Sequence, residues 1–285
     1  MGGSLSLAIK KTSFKGCITG IVRSMKSLEE AQKSKVADKL LLEEDFLKEK
    51  LWYEYDLIIF SLPVDLTCEK INLIPDDYPG YITDLGSTKK EILDTVSKKF
   101  LHKHNYFSSH PMTGSEHSGV AFAKEDLYKG KLCILTREKN TTDDSVLHIE
   151  NFWKELGSIT IEITAHDHDE ILSYLSHSPH ILSSLLVTWA NSSPIVRSYT
   201  DKSPIPLSGG GFRDMSRIAG SNPEMWEAII STNKKEILNS LKHFNSELEI
   251  LISVLENSTH ENSGYWKAYF EKSKKARNHI LKISE

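Results

Sequence analysis

Residues 81–100 read YITDLGSTKKEILDTVSKKF. Tyr81-Ile82-Thr83 favours a strand, Asp84 to Ser87 makes a polar turn around Gly86, and the helix-like TKKEILDTVSKKF follows at once. A strand that turns directly into a helix is the building unit of a parallel, doubly wound sheet. The unit recurs on both sides. Further strand candidates are CITGIV (17–22), LIIFSL (57–62), YFSS (106–109), KLCILT (131–136) and SITIEI (158–163). Helix-like SLSLAIKK (4–11), SLEEAQKS (27–34) and SVLHIENFWKEL (145–156) lie between them. The expectation is an α/β, dinucleotide-binding type of domain over residues 1–163.

Beyond residue 163 the strand signal stops, and residues 164–285 read as an all-α domain. Segments 165–190 and 222–283 have the pattern of long helices. Ser221-Asn222-Pro223-Glu224 marks a helix start, with a capping residue followed by proline. Along 237–255, Ile237, Leu241, Phe244, Leu248, Leu251 and Leu255 recur at spacings of four and three. Such a seam serves equally as an internal bundle core or as a contact between two copies.

Composition limits the function classes. Lys plus Arg is 35 and Asp plus Glu is 39, a net charge of −4. That balance offers no broad attraction to nucleic acid or to anionic membranes. Cys17, Cys68 and Cys133 are scattered and odd in number, which argues against a disulfide framework and for a reducing, cytoplasmic setting. No apolar run reaches the ~20 residues of a membrane span, and MGGSLSLAIKK lacks the pattern of a secretory signal.

A doubly wound nucleotide-binding domain opens with a strand, a glycine-rich turn and a helix whose amino end receives the pyrophosphate. Here Met1-Gly2-Gly3-Ser4 runs straight into an apolar helical pattern. Gly2, Gly3 and Ser4 therefore read as the tail of the phosphate turn, with the first strand missing. Either Met1 is an internal methionine or the chain is natively short. Weak cofactor binding and low stability are expected in both cases. The strand CITGIV leads into Arg23 and Ser24, with no acidic residue before Glu29. An acidic residue there would select NAD, whereas Arg23 and Ser24 suit a 2′-phosphate, so NADP is favoured over NAD.

Four motifs carry chemistry. Ser109-His110-Pro111-Met112-Thr113-Gly114-Ser115-Glu116 follows a strand, which puts His110 at the carboxyl edge of the sheet, where such folds bind ligands. A histidine there can accept a proton near neutrality. Ser87, in Asp84-Leu85-Gly86-Ser87-Thr88-Lys89, is expected to cap the next helix at the same edge. Ser176-His177-Ser178-Pro179-His180 breaks a helical pattern, so Ser178 and Pro179 are expected to start a new helix with His180 near its amino end. In Gly209-Gly210-Gly211-Phe212-Arg213-Asp214-Met215-Ser216-Arg217, Asp214 and Arg217 are three apart and suit a carboxylate clamp. A metal reading of His177, His180 and His166-Asp167-His168-Asp169 matches no zinc template, so no metal is expected.

TDLGSTK, HPMTGSEHSG, SHSPH and GGGFRDMSRIAGSNPEMW, in this order, resemble the prephenate/arogenate dehydrogenases of tyrosine biosynthesis, over Gly2 to about residue 257. The resemblance implies a Rossmann domain followed by a helical domain that forms a homodimer. It implies oxidative decarboxylation of prephenate, or of arogenate, with hydride transfer to a nicotinamide cofactor. His110 matches the catalytic histidine at the ring hydroxyl, and Ser87 the serine that contacts that hydroxyl and orients the histidine. Arg217 matches the arginine that holds the ring carboxylate, with Asp214 as its neighbour. His180 matches a histidine near the substrate side chain, and Glu116 a glutamate at the pocket mouth. No strand pattern follows residue 257, so a regulatory ACT domain is not expected.

Overall fold

The computed structural model describes residues 1–114, 119–257 and 264–283. The order of elements begins α1 (Gly2–Lys10), β1 (Thr19–Val22), α2 (Met25–Ser34), β2 (Lys39–Leu42) and α3 (Glu43–Lys48). It continues with β3 (Leu57–Phe60), α4 (Val64–Ile71), β4 (Tyr81–Asp84), α5 (Lys90–Lys99), β5 (Ser108–Pro111), β6 (Leu132–Thr136), α6 (Asp143–Glu155) and β7 (Ile159–Glu162). From α7 (Ala165–Leu172) onward the described residues hold only helices. These are α8 (Ser178–Ser192), α9 (Pro194–Lys202), α10 (Gly210–Ser216), α11 (Pro223–Thr232), α12 (Lys234–Glu256) and α13 (Tyr265–Ile280).

β3 and β4 pair in parallel, with Leu57 opposite Tyr81 and Phe60 opposite Asp84. The ladder passes to the β5 side through a parallel bridge between Ile82 and Tyr106. β5 then pairs antiparallel with β6, and β6 parallel with β7. The antiparallel step corrects the expectation of a wholly parallel sheet. Between β5 and β6 the described chain forms only a short 3-10 turn, Val120–Phe122. β1 and β2 form a separate parallel pair, so the ladder is interrupted between β1 and β3.

Strand alternation divides the apolar side chains between two layers. Ile58, Phe60, Ile82 and Tyr106 pack with Phe46, Trp52, Val64, Ile71, Ile92 and Val96 from α3, α4, α5 and the turn after α3. Leu57, Ile59, Tyr81 and Phe107 pack on the other side with Leu5 and Ala8 of α1 and Ile149 and Trp153 of α6. Helices therefore cover both faces of the β3–β7 sheet. β1 and β2 contribute no fully buried residue.

The helix boundaries follow local chemistry. Thr142 caps α6 by accepting from the Ser145 amide, and Asp143 and Asp144 sit in its first turn. Asn222 caps α11 at the Met225 amide, with Pro223 as the first helical residue, as the sequence pattern predicts. The SHSPH segment behaves differently from expectation. α7 continues through a π-helical turn, Ser173–His177, into α8 without a break. The Ser178 amide reaches the Ser173 carbonyl across the widened turn, so Pro179 is absorbed one residue later rather than starting a new helix.

By packing, the chain divides into two compact units, Met1–Ile237 and Leu238–Glu285. No helix among the described residues is long and apolar enough to cross a membrane.

Candidate active site

Asp84, the last residue of β4, is fully buried and fully used. Its Oδ2 accepts from Lys89 Nζ at 2.6 Å and from the Gly86 amide at 2.8 Å. Its Oδ1 accepts from the Tyr106 and Ser108 hydroxyls. Lys89 is equally buried and also donates to the Ser109 carbonyl at 2.8 Å. A buried ion pair survives only when its remaining polar atoms are satisfied, as they are here. The pair ties the turn after β4 to β5 and places a fixed cation behind the residue that follows Ser109.

That residue is His110, part-buried on β5. Its Nδ1 lies 2.8 Å from Nε2 of His168, on α7. His168 is fully buried, and its Nδ1 lies 2.7 Å from Asp169 Oδ1. Burial, reinforced by the Lys89 charge, holds His110 well below the ordinary imidazole value. Burial also lowers His168, against the opposing pull of Asp169. Both rings are therefore neutral near pH 7, and His110 is equipped to accept a proton.

Asp169 also ends α5. Its Oδ1 accepts from the Lys89 amide at 2.8 Å and its Oδ2 from the Lys90 amide at 2.9 Å. This corrects the expectation for Ser87, which does not cap that helix. Ser87 is half-buried in the turn after β4, and among the described residues its hydroxyl makes no hydrogen bond. The sequence pattern missed Asp169 as a cap because the cap comes from 80 residues away. The neighbouring Thr88 hydroxyl donates to Thr232 at the end of α11, which holds the turn against the helical segment.

The polar chain continues toward α8. Asn233 donates to the Asp169 carbonyl at 2.8 Å, and its amide nitrogen lies 3.0 Å from His177 Nδ1. Burial depresses His177 to about 4. His177 meets Trp226 edge-on, and His180 stacks on the same indole with centroids 4.0 Å apart. His180 Nδ1 donates to the Ser176 carbonyl at 2.8 Å. Burial lowers His180, and the Arg217 charge nearby lowers it further. Arg217 opens a 3-10 turn after α10 and is exposed, as is Asp214 within α10. That segment is held on α8 by the Ser183 hydroxyl, which donates to the Met215 carbonyl at 2.7 Å. His110 and His180 thus belong to one continuous array running through His168, Asp169, Asn233, His177 and Trp226, and the Arg217 charge stands near enough to His180 to lower it. Glu116 lies outside the described residues. Among those described, no three His, Cys, Asp or Glu side chains converge as metal ligands.

The residues expected to meet the nucleotide lie at the start of α1 and just beyond β1. A Cβ on Gly2 would stand 3.1 Å from Ser61, and one on Gly3 would stand 3.1 Å from Val120. The first intrahelical bond is Leu5 N to Met1 O, so the amides of Gly2, Gly3 and Ser4 precede the helical ladder. Free first-turn amides behind a close glycine approach fit a pyrophosphate. Ser4 is buried and accepts from the Lys124 amide at 3.0 Å, which gives its hydroxyl a structural use. Arg23 and Ser24 are exposed just beyond β1, and Ser24 caps α2 at the Ser27 amide.

The family model for the prephenate dehydrogenase nucleotide-binding domain matches residues 5–162, and the model for the prephenate dehydrogenase dimerization domain matches residues 164–270. Prephenate dehydrogenase from Bacillus subtilis is 32% identical over 92% of this chain and 69% of its own length. Cyclohexadienyl dehydrogenase from Zymomonas mobilis is 31% identical over 69% of this chain and 64% of its own. The crystal structure of prephenate dehydrogenase from Aquifex aeolicus with hydroxyphenyl propionate and NAD+ superposes with a TM-score of 0.85 at 26% identity, covering 98% of this chain and 94% of that one.

Proposed function

The chain belongs to the prephenate dehydrogenase family, and from that premise we propose that it oxidises prephenate to 4-hydroxyphenylpyruvate and CO2, with His110 as the base. The observation that supports this most is the continuous array joining His110 on β5 to His180 on α8. His110 takes the proton of the ring 4-hydroxyl as that oxygen becomes a carbonyl. A nicotinamide dinucleotide, when bound, accepts the hydride that leaves C4. The ring carboxylate then departs as CO2, its bonding electrons flow through the ring to the oxygen, and His110 returns the proton to the phenolate. Arg217 holds the ring carboxylate, with Asp214 beside it. Ser87, in the turn after β4, contacts the hydroxyl, and the family resemblance alone assigns Glu116 to the substrate.

Gly2, Gly3 and Ser4 hold the pyrophosphate at the amino end of α1. Arg23 and Ser24 receive a 2′-phosphate, which favours NADP over NAD. Residues 1–163 serve the nucleotide and 164–285 the substrate and a homodimer contact.

A second reading, arogenate, is favoured by the tautomer of His180. Because Nδ1 donates to Ser176, the neutral ring presents Nε2 as an acceptor. An acceptor pairs with the ammonium group of arogenate and not with the keto group of prephenate. Assaying each substrate with NAD and with NADP tests both readings. Turnover of prephenate fastest with NADP is expected. A clear preference for arogenate selects the second reading, and no turnover with any pair removes both.

A further inference from the structure

We propose that His168 and Asp169 act as positioning residues that fix the tautomer of His110, leaving its Nε2 as the unprotonated, basic nitrogen. Counting donors and acceptors leads there. Both carboxylate oxygens of Asp169 accept backbone amides, from Lys89 at 2.8 Å and Lys90 at 2.9 Å. These amides open α5, whose amino end favours an ionised carboxylate. An ionised carboxylate only accepts, so His168 Nδ1, 2.7 Å from Oδ1, is a donor. A neutral imidazole has one donor, so His168 Nε2 is an acceptor. His110 Nδ1, 2.8 Å from that nitrogen, is then the donor, and the lone pair of His110 lies on Nε2.

The arrangement is stiff at each link. His168 is fully buried and Asp169 nearly so. The Asp169 main chain is held by Asn233, which donates to its carbonyl at 2.8 Å. The His110 and His168 ring centroids are 5.0 Å apart. The same logic governs a base histidine backed by a buried carboxylate, where loss of the correct tautomer costs about 10⁴ in turnover. Here a second imidazole stands between base and carboxylate. The carboxylate consequently has two tasks: it sets the tautomer at β5 and it closes the first turn of α5. Neither His168 nor Asp169 touches the substrate in this scheme.

The tautomer itself does not depend on the proposed reaction, although its kinetic consequence does. Ring-nitrogen NMR of the uniformly labelled full chain reads the tautomer directly, with His110→Asn used to assign the signals. The proposal expects His110 in the wild-type chain to carry its proton on Nδ1. The Nε2–H form would overturn it, whether or not the chain turns over prephenate. Two variants extend the test. His168→Leu removes the acceptor, whereas His168→Gln offers an amide carbonyl in its place. His168→Leu should give mixed His110 tautomers and lower kcat by about 100-fold, at the weak end of the range for losing a proton acceptor, with KM and cofactor Kd unchanged. His168→Gln should restore the Nδ1–H form and most of kcat. Equal kcat in the two variants, whether both high or both low, would overturn the positioning role.

Discussion

At the residue scale, the decisive feature of His110 is its surroundings. Burial opposes its protonation, and the Lys89 charge behind it adds to that. The active form of a base is the neutral one, so activity is lost only when pH falls through its depressed value. The acid limb of kcat/KM should therefore lie below 6.5, the ordinary imidazole value. A limb at or above 6.5 in a pH–rate profile would contradict this environment. His110 was legible from sequence because it closes a strand and stands in a specific motif. His168 was not. In His166-Asp167-His168-Asp169 it sits within a run of charged and titratable residues, and its partner is 58 residues away. Only the packing of α7 against the β5–β6 region distinguishes it from its neighbours in that run.

At the element scale, strand-to-helix units such as 81–100 were readable because each carries its own turn chemistry and periodicity. β2 was overlooked. Its four residues, Lys39–Leu42, run straight into acidic α3 with no intervening turn signal. The proline in SHSPH pointed to a helix start, whereas a π-helical turn ahead of it keeps the helix continuous. The 237–255 seam was read two ways. Ile237 is buried, but Phe244 and Leu248 remain 47% and 42% exposed and Leu255 62%. Burying each such side chain is worth about 1.5–3 kcal/mol, which supports a contact between two copies. The double substitution Phe244→Glu with Leu248→Glu should halve the mass seen by analytical ultracentrifugation while preserving the helical circular dichroism. An unchanged mass would exclude this stripe as the contact.

At the scale of the whole molecule, catalytic and structural demands draw on the same buried histidines. His177 falls from 6.5 to about 4 on folding. The unfolded chain therefore binds the proton first as pH drops. The contribution of His177 to stability is complete above pH 6.5, declines between 6.5 and 4, and is constant below. A displacement of about 2.5 pKa units corresponds to about 3 kcal/mol. Urea unfolding at pH 7.5 and pH 4.5 should show a loss of this order, and His177→Gln should reduce it. Equal pH dependence in the variant would show that His177 is not its source. The interrupted ladder between β1 and β3 belongs to this scale as well. The sequence suggested an absent strand, and β1–β2 and β3–β4 form separate parallel pairs. The glycines at 2 and 3 could be read as a phosphate turn only by analogy, since their close approaches to Ser61 and Val120 join distant segments.

The central claim is that His110 drives an oxidation coupled to loss of the ring carboxylate. Measuring ¹³CO2 release and reduced nicotinamide together, from prephenate labelled at the ring carboxylate, tests it most directly. The wild-type chain should yield the two in equal amounts, and His110→Asn should slow both by about 10²–10⁴-fold while cofactor affinity is retained. Reduced nicotinamide without CO2, or unchanged turnover in His110→Asn, would contradict the account.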